Sequence, residues 1–464
     1  MLHKFIVLSR YRSITSPVLL HTRYTRSTHT NTGTSHADTL LDTSTIQPYT
    51  SPQPSNHGSL YWPHTLLKQP LYNTLSIETT CDDTCVSIIT SNRVILSNIS
   101  LSQHQLVKQY NGVHPGKAAE LHKLYLPIIC ELALKHANIT DVQQQIQCIG
   151  IAVAPGLAPC LHAGLSYAKQ LSIQYNIPLI GINHVESHAV VASLLDHTLI
   201  YTRCLILLLT GGHTQIWYQH SIGQYDIIGD TVDDAIGECL DKCTRLLLPL
   251  ISESNQHIIG SNPVYGAICE YLAQSGDELR YTLTVPYDKN KICNFSFAGL
   301  KTQFLRLVES IKIRHCDSNN KLSSDIICDL AASLQYTVYQ QLQQRLVNAI
   351  KYYVLIKQKP NKLILCGGVA SNKYINNKLC ELLSFYNMDV ITPPPVWATD
   401  NSIMIGWNAS IKYALGQIDS LDIVYEPKMN VGRYIDSDTI TQVLSPPKLK
   451  AKQKLKRKKQ QRQQ

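Results

Sequence analysis

No apolar run in this chain approaches the roughly 20 residues needed to cross a bilayer, so its 464 residues predict no transmembrane helix and no membrane partner. Its fourteen cysteines fall mostly singly inside apolar segments such as KLILCGG and DIICDLA. They form neither a C-x-x-C zinc pattern nor a disulfide framework, and read as buried thiols in a reducing compartment. Acid is missing from both ends. Residues 1–37 hold five Lys or Arg and residues 446–464 hold nine, with no Asp or Glu in either. The net charge of +9 therefore sits at the termini, and the chain between them carries −5. A nucleic-acid partner would have to find a local patch or the tail.

The Arg-, Ser- and Thr-rich start matches the composition of an organellar transit segment. A mitochondrial address is expected, with a plastid as the alternative. Residues 38–71 read as a linker or extension rich in Pro and Ser. Residues 436–464 are expected to be a disordered basic tail, a flexible cationic arm able to gather a nucleic acid electrostatically.

The body is 44% apolar and 16% charged by the composition of the whole chain, enough for two or three domain-sized cores. From Asn73 onward strands alternate with helices, which implies an α/β fold. TLSIETTCDDTCVSII and CLILLLTGGHTQIWY each read as strand, turn and strand, suggesting a duplicated plan. Ile326, Leu330, Leu334, Val338, Leu342, Leu346 and Ile350 recur every four residues and predict a long buried-face helix. In KLILCGGVASNKYINNKL, Gly367 and Gly368 join a strand to a helix, where backbone can approach a ligand. In WATDNSIMIGW, Asp400 is placed at a helix N-cap.

NHVESHA sets His184 and His188 four residues apart, so on a helix both imidazoles point within about 40° of each other and can share a cation. The H-E-x-x-H protease pattern is not met. Glu186 lies two residues after His184, about 200° around the helix, and would point away from a shared metal. That removes the base a zinc protease needs. Two ordinary surface histidines remain the plain alternative at this point.

Taken in order, SIETTCDDTCVSI, APGL with GLSYAKQLS, NHVESH, LLTGGHTQ, DTVDDAIGECLDKCTRLL, NFSFAGLKT, LCGGVASN and TDNSIMIG resemble the tRNA N6-adenosine threonylcarbamoyltransferases, organellar branch. The resemblance runs from about Leu75 to Gly432. It implies the two-lobed actin, sugar-kinase and heat-shock ATPase fold with a central ligand cleft, residues 72–200 plus 392–435 forming one lobe and 201–391 the other. It implies that His184, His188 and Asp400 hold one divalent metal per subunit, zinc or iron. Leu208, Leu209, Thr210, Gly211, Gly212, Gly367, Gly368 and Asn372 then line the adenylate, with the glycines giving N–H groups or close approach. Asp241 would bind the ribose, and Asp82 would stand near phosphate and metal.

The donor implied is threonylcarbamoyl-AMP, made by a separate enzyme, and the acceptor is adenosine 37 of tRNAs reading codons that begin with A. A homodimer is implied. The sequence departs from the pattern at Thr210 and Pro159, where the family has Ser and Gly. It also carries an insertion in LLLPLISESNQHIIGSNPVYGAI, where Asn262 aligns with a nucleotide-contacting Gly. An actin-like ATPase or kinase would not explain two His and a distant Asp, since Mg²⁺ is held there by carboxylates and phosphates. A binding-only relative would be expected to have lost one of the three ligands.

Overall fold

The computed structural model describes residues 71–110, 112–252 and 264–445. The transit segment, nearly all of the linker, Asn262 and the stretch 446–464 lie outside the described residues.

Two sheets are built on one plan. In the first, β1 (Asn73–Glu78), β2 (Asp83–Thr90) and β3 (Ile95–Ser102) form an antiparallel meander, and β4 (Cys148–Ala154) and β5 (Leu179–Asn183) extend it in parallel, in the order β3-β2-β1-β4-β5. The second repeats this with β6 (Cys204–Leu209), β7 (Thr214–Ser221), β8 (Gln224–Asp230), β9 (Lys362–Cys366) and β10 (Asp389–Ile391). A short β11 (Arg433–Tyr434) adds to β8. Each hairpin read from the sequence is present, and the duplication is one of topology: β1 to β5 correspond to β6 to β10.

Helices cover both faces of the first sheet. Leu75, Ile77 and Val86 pack on one side with α1 (Pro115–His136) and α2 (Ala158–Tyr175), in a core containing Tyr125, Leu126 and Leu165. On the other side Ser76, not an apolar residue, faces the helix that begins at Ser402 and donates to the Ser402 carbonyl at 2.8 Å. Small residues are needed there because a Cβ on Gly150 would stand 2.5 Å from that of Ala409.

In the second sheet all six residues of β6 are buried, the continuous apolar run of a strand covered on both faces. Leu205, Leu207 and Leu209 face a core shared with α4 (Ile236–Leu247), α5 (Tyr265–Ala273), α6 (Ala298–His315), α7 (Ser324–Leu355) and α8 (Lys373–Ser384). Ile206 and Leu208 face the opposite way, toward Val185 and Ala189.

Helix α7 contains the whole four-residue repeat. One boundary differs from expectation. The chain has joined the second sheet by Arg433, and α10 (Ser437–Leu444) follows as an ordered helix whose Ile440 is fully buried in the second core. The tail expected from 436 therefore starts no earlier than the end of that helix, because Ile440 anchors it.

Candidate metal centre and nucleotide cleft

Helix α3 (His184–Val190) starts directly after β5, capped by Asn183, whose side chain accepts from the Glu186 N–H at 3.0 Å. All seven of its residues are buried. Val185 and Ala189 pack on the second sheet, while Glu186 turns to the first lobe. There it accepts from Asn408 at 3.2 Å and lies 3.6 Å from Lys412. Glu186 is thus committed away from the histidines, as its helical offset predicts.

His184 and His188 keep the remaining face, their Nε2 atoms 3.2 Å apart. Asp400 brings its Oδ1 to 3.4 Å from the first and 3.2 Å from the second. These three donors lie within 4.8 Å of one another, the histidines buried and Asp400 partly exposed. Asp400 is not the helix cap. Asn401 caps α9 (Ser402–Ala414), accepting from the Met404 N–H at 3.1 Å, and this leaves the Asp400 carboxylate free to face the imidazoles.

The donor set fits a divalent ion. Two imidazole nitrogens and one carboxylate oxygen converge and leave room for further ligands. Glu78, 1% exposed at the end of β1, fixes His184: its Oε2 is 3.0 Å from His184 Nδ1, and its Oε1 accepts from the Thr80 N–H at 2.6 Å. This carboxylate–histidine pairing turns Nε2 toward the metal position. The charges agree. Burial alone would lower the His184 pKa, but Glu78 and Asp400 outweigh it and hold it well above the ordinary value. Burial opposes ionisation of Asp400, yet His184 and His188 hold its pKa well below the carboxylate range. The cluster favours positive charge at its centre, where a proton and a metal ion compete.

The β1–β2 turn carries Asp82 and is braced from α1. Buried His122 bonds Thr84 Oγ1 at 2.7 Å and the Cys81 carbonyl at 2.9 Å, and burial lowers its pKa. The matching turn of the second hairpin carries Gly211 and Gly212, both exposed with open space where a Cβ would stand. Thr210 ties that turn by accepting from the Gly212 and His213 N–H groups at 3.2 and 2.8 Å. The Gly212 N–H is therefore spent on Thr210.

Leu208 and Leu209 are fully buried, so their side chains belong to cores and only their backbone is left to meet a ligand. Gly367 has φ +91°, and a Cβ there would stand 2.4 Å from the Leu209 carbonyl, which requires glycine. Gly368 is exposed, and a Cβ there would meet only the Thr399 side chain, 3.9 Å away. Asn372 is a helix cap: it accepts from the Ile375 N–H and donates to Gln335, at 3.0 and 2.8 Å. Burial raises the Asp241 pKa against the pull of Arg245 and the Gly266 N–H.

Two neighbours of the centre carry no obvious signal in the sequence beyond residue type. His213 is kept below the ordinary imidazole range by burial and by His184. With Val185, Asp230, Asn430 and Tyr434 it lines a cavity of about 250 Å³. Glu78 was legible only as an acid at the end of a buried strand.

The profile of the tRNA N6-adenosine threonylcarbamoyltransferases matches residues 94–407, which include all three donors. The chain belongs to this family. A protein described as a probable mitochondrial member in Arabidopsis thaliana is 34% identical over 76% of this chain and 72% of its own length. The Rickettsia bellii transferase is 36% identical over 75% of this chain and 95% of its own. Among solved structures, HypF of T. kodakarensis overlays with a TM-score of 0.46 at 13% identity, covering 75% of this chain and 48% of that one. Membership makes the chain a tRNA threonylcarbamoyltransferase, and no helix among the described residues is long and apolar enough to cross a membrane.

Proposed function

We propose that the chain transfers the threonylcarbamoyl group of threonylcarbamoyl-AMP to N6 of adenosine 37 in tRNAs reading codons that begin with A, releasing AMP. The observation that carries this is the convergence of His184, His188 and Asp400 near two glycine turns, one from each of β6–β7 and β9–α8. In the reaction the N6 amine adds to the carbamoyl carbon, the carbon–oxygen bond to the phosphate breaks, and the N6 proton is lost. His184, His188 and Asp400 would hold one zinc or iron ion, whose role when bound is to polarise the carbamoyl carbonyl and orient the threonyl part. Gly211, Gly367 and Gly368 let backbone approach the adenylate, and Asp241 takes its ribose. Asp82, held out by the His122-braced turn, polarises the reacting region. Proximity and electrostatics supply most of the rate.

A separate enzyme supplies the donor and the chain works as a homodimer; its mitochondrial location is supported by the name of the Arabidopsis relative. The test is incubation of the purified protein with threonylcarbamoyl-AMP and an unmodified tRNA bearing A at position 37. Mass spectrometry should find the modified nucleoside with equimolar AMP. ADP formation from ATP without nucleoside modification would instead favour a phosphoryl-transfer enzyme.

A further inference from the structure

At the end of the second lobe away from the glycine turns, the last turns of α7, the segment 385–387 just after α8 and the end of α10 enclose a cavity of about 630 Å³. Its walls include Ile350, Val354 and Phe385, the last 84% exposed. Lys291, Lys351 and Lys359 rim it, and among the described residues no acidic side chain lines it. Helix α7 fixes the distance from the cleft: Gln335 bonds Asn372 beside the second glycine turn, and the 20 residues from there to Leu355 rise about 30 Å. Leu444 closes the cavity, its carbonyl accepting from Lys291 at 2.7 Å. In sequence Leu444 is followed closely by the stretch 446–464, with nine cations and no acid.

We infer that this corner is a second RNA-docking site, which takes the sugar–phosphate backbone of the tRNA body while the reacting nucleotide occupies the cleft. The inference rests on tRNA being the substrate. Charge decides the class of occupant. A lysine-rimmed cavity favours an anionic occupant over a stretch of nine cations, because like charges repel. Asn348 and Asn387 also line it, beside Phe385 and Tyr386. Amides, aromatic faces and lysines together suit phosphates and an exposed base. A bilayer is flat and would fill neither the concavity nor its amides. The separation of about 30 Å places the contact beyond the reacting loop, so it adds affinity without choosing the target adenosine.

The experiment uses the full chain, without donor, and two tRNA transcripts carrying A or G at position 37. Lys351→Glu with Lys359→Glu should weaken binding of both about tenfold and lower the slope of log K against log salt by about two. Phe385→Ala should weaken binding severalfold with the slope kept, and AMP affinity should stay at the parent value in every variant. Because binding is read without transfer, a protein that modifies no tRNA can still pass this test. Parent-like tRNA affinity and slope in the double-lysine variant overturn the inference. So does lysine-dependent binding to vesicles of one-third phosphatidylglycerol in phosphatidylcholine that tRNA does not displace.

Discussion

A single carboxylate, Glu78, orients His184, and its loss should be felt as metal affinity before anything else. Glu78→Gln keeps the shape but weakens the anchor, so the affinity for zinc in a chelator competition should fall about 10- to 100-fold with the fold retained. His188→Ala removes one of the three proposed donors and should abolish both metal binding and transfer. An unaltered zinc affinity in Glu78→Gln would leave the imidazole positioned by helix α3 and by the Thr80 hydroxyl, 3.3 Å from Nδ1. The histidine pair was legible because helical spacing puts i and i+4 on one face. Glu78 was not, since a partner 106 residues away leaves no local pattern.

Asp83 gives the hairpin a pH dependence. Burial and then the charge of Asp82 push its carboxyl up to about 7, with Ser102 opposing. A carboxyl raised on folding favours the folded state while it is protonated. That contribution is complete below the unfolded value near 3.9 and is lost as pH rises through about 7. Asp83→Asn holds the neutral shape at every pH, so thermal melts should show the variant gaining on the parent between pH 5 and 8. Parallel melting curves across that range would contradict the burial of an ionising Asp83.

At the scale of elements, period and punctuation carried most of the reading. The two hairpins and the long helix α7 follow from alternation, a turn and a four-residue repeat, all of which are local. What failed was also local in appearance. Asp400 and Asn401 are both good capping residues, and only the geometry shows that Asn401 caps α9 while Asp400 turns to the histidines. Leu208 and Leu209 sit beside the Gly211–Gly212 turn in sequence, and a strand covered on both faces sends their alternate side chains into two cores. Asn401→Ala should therefore do two things. It should cost about 1 kcal/mol of stability through the lost cap, and it should weaken metal binding by loosening the loop that presents Asp400, where Asn401 also holds the Trp397 and Thr399 carbonyls at 3.2 and 2.6 Å. Denaturant unfolding and zinc competition read the two separately. A stability loss with zinc affinity intact would show that Asp400 is placed by other contacts.

For the whole molecule, topology and charge are arranged differently. The two sheets repeat one strand order, which brings the ends of corresponding strands and their turns to face a shared site, and neither sheet alone holds both the histidines and the glycine turns. The charge has no such repeat. The chain between the termini is net negative, at −5, and would by itself repel RNA at long range, whereas the last 19 residues hold nine cations. Those residues follow α10, whose buried Ile440 fixes where they begin. Deleting residues 446–464 should accordingly weaken tRNA binding, flatten its salt dependence and raise the KM for tRNA, while leaving the KM for threonylcarbamoyl-AMP near the parent value. The effect should be smaller in the Lys351→Glu, Lys359→Glu background if both act on the same stretch of RNA backbone, since contacts that share a partner do not add. A truncated chain that binds tRNA with the parent affinity and salt slope would place the entire attraction on the folded surface.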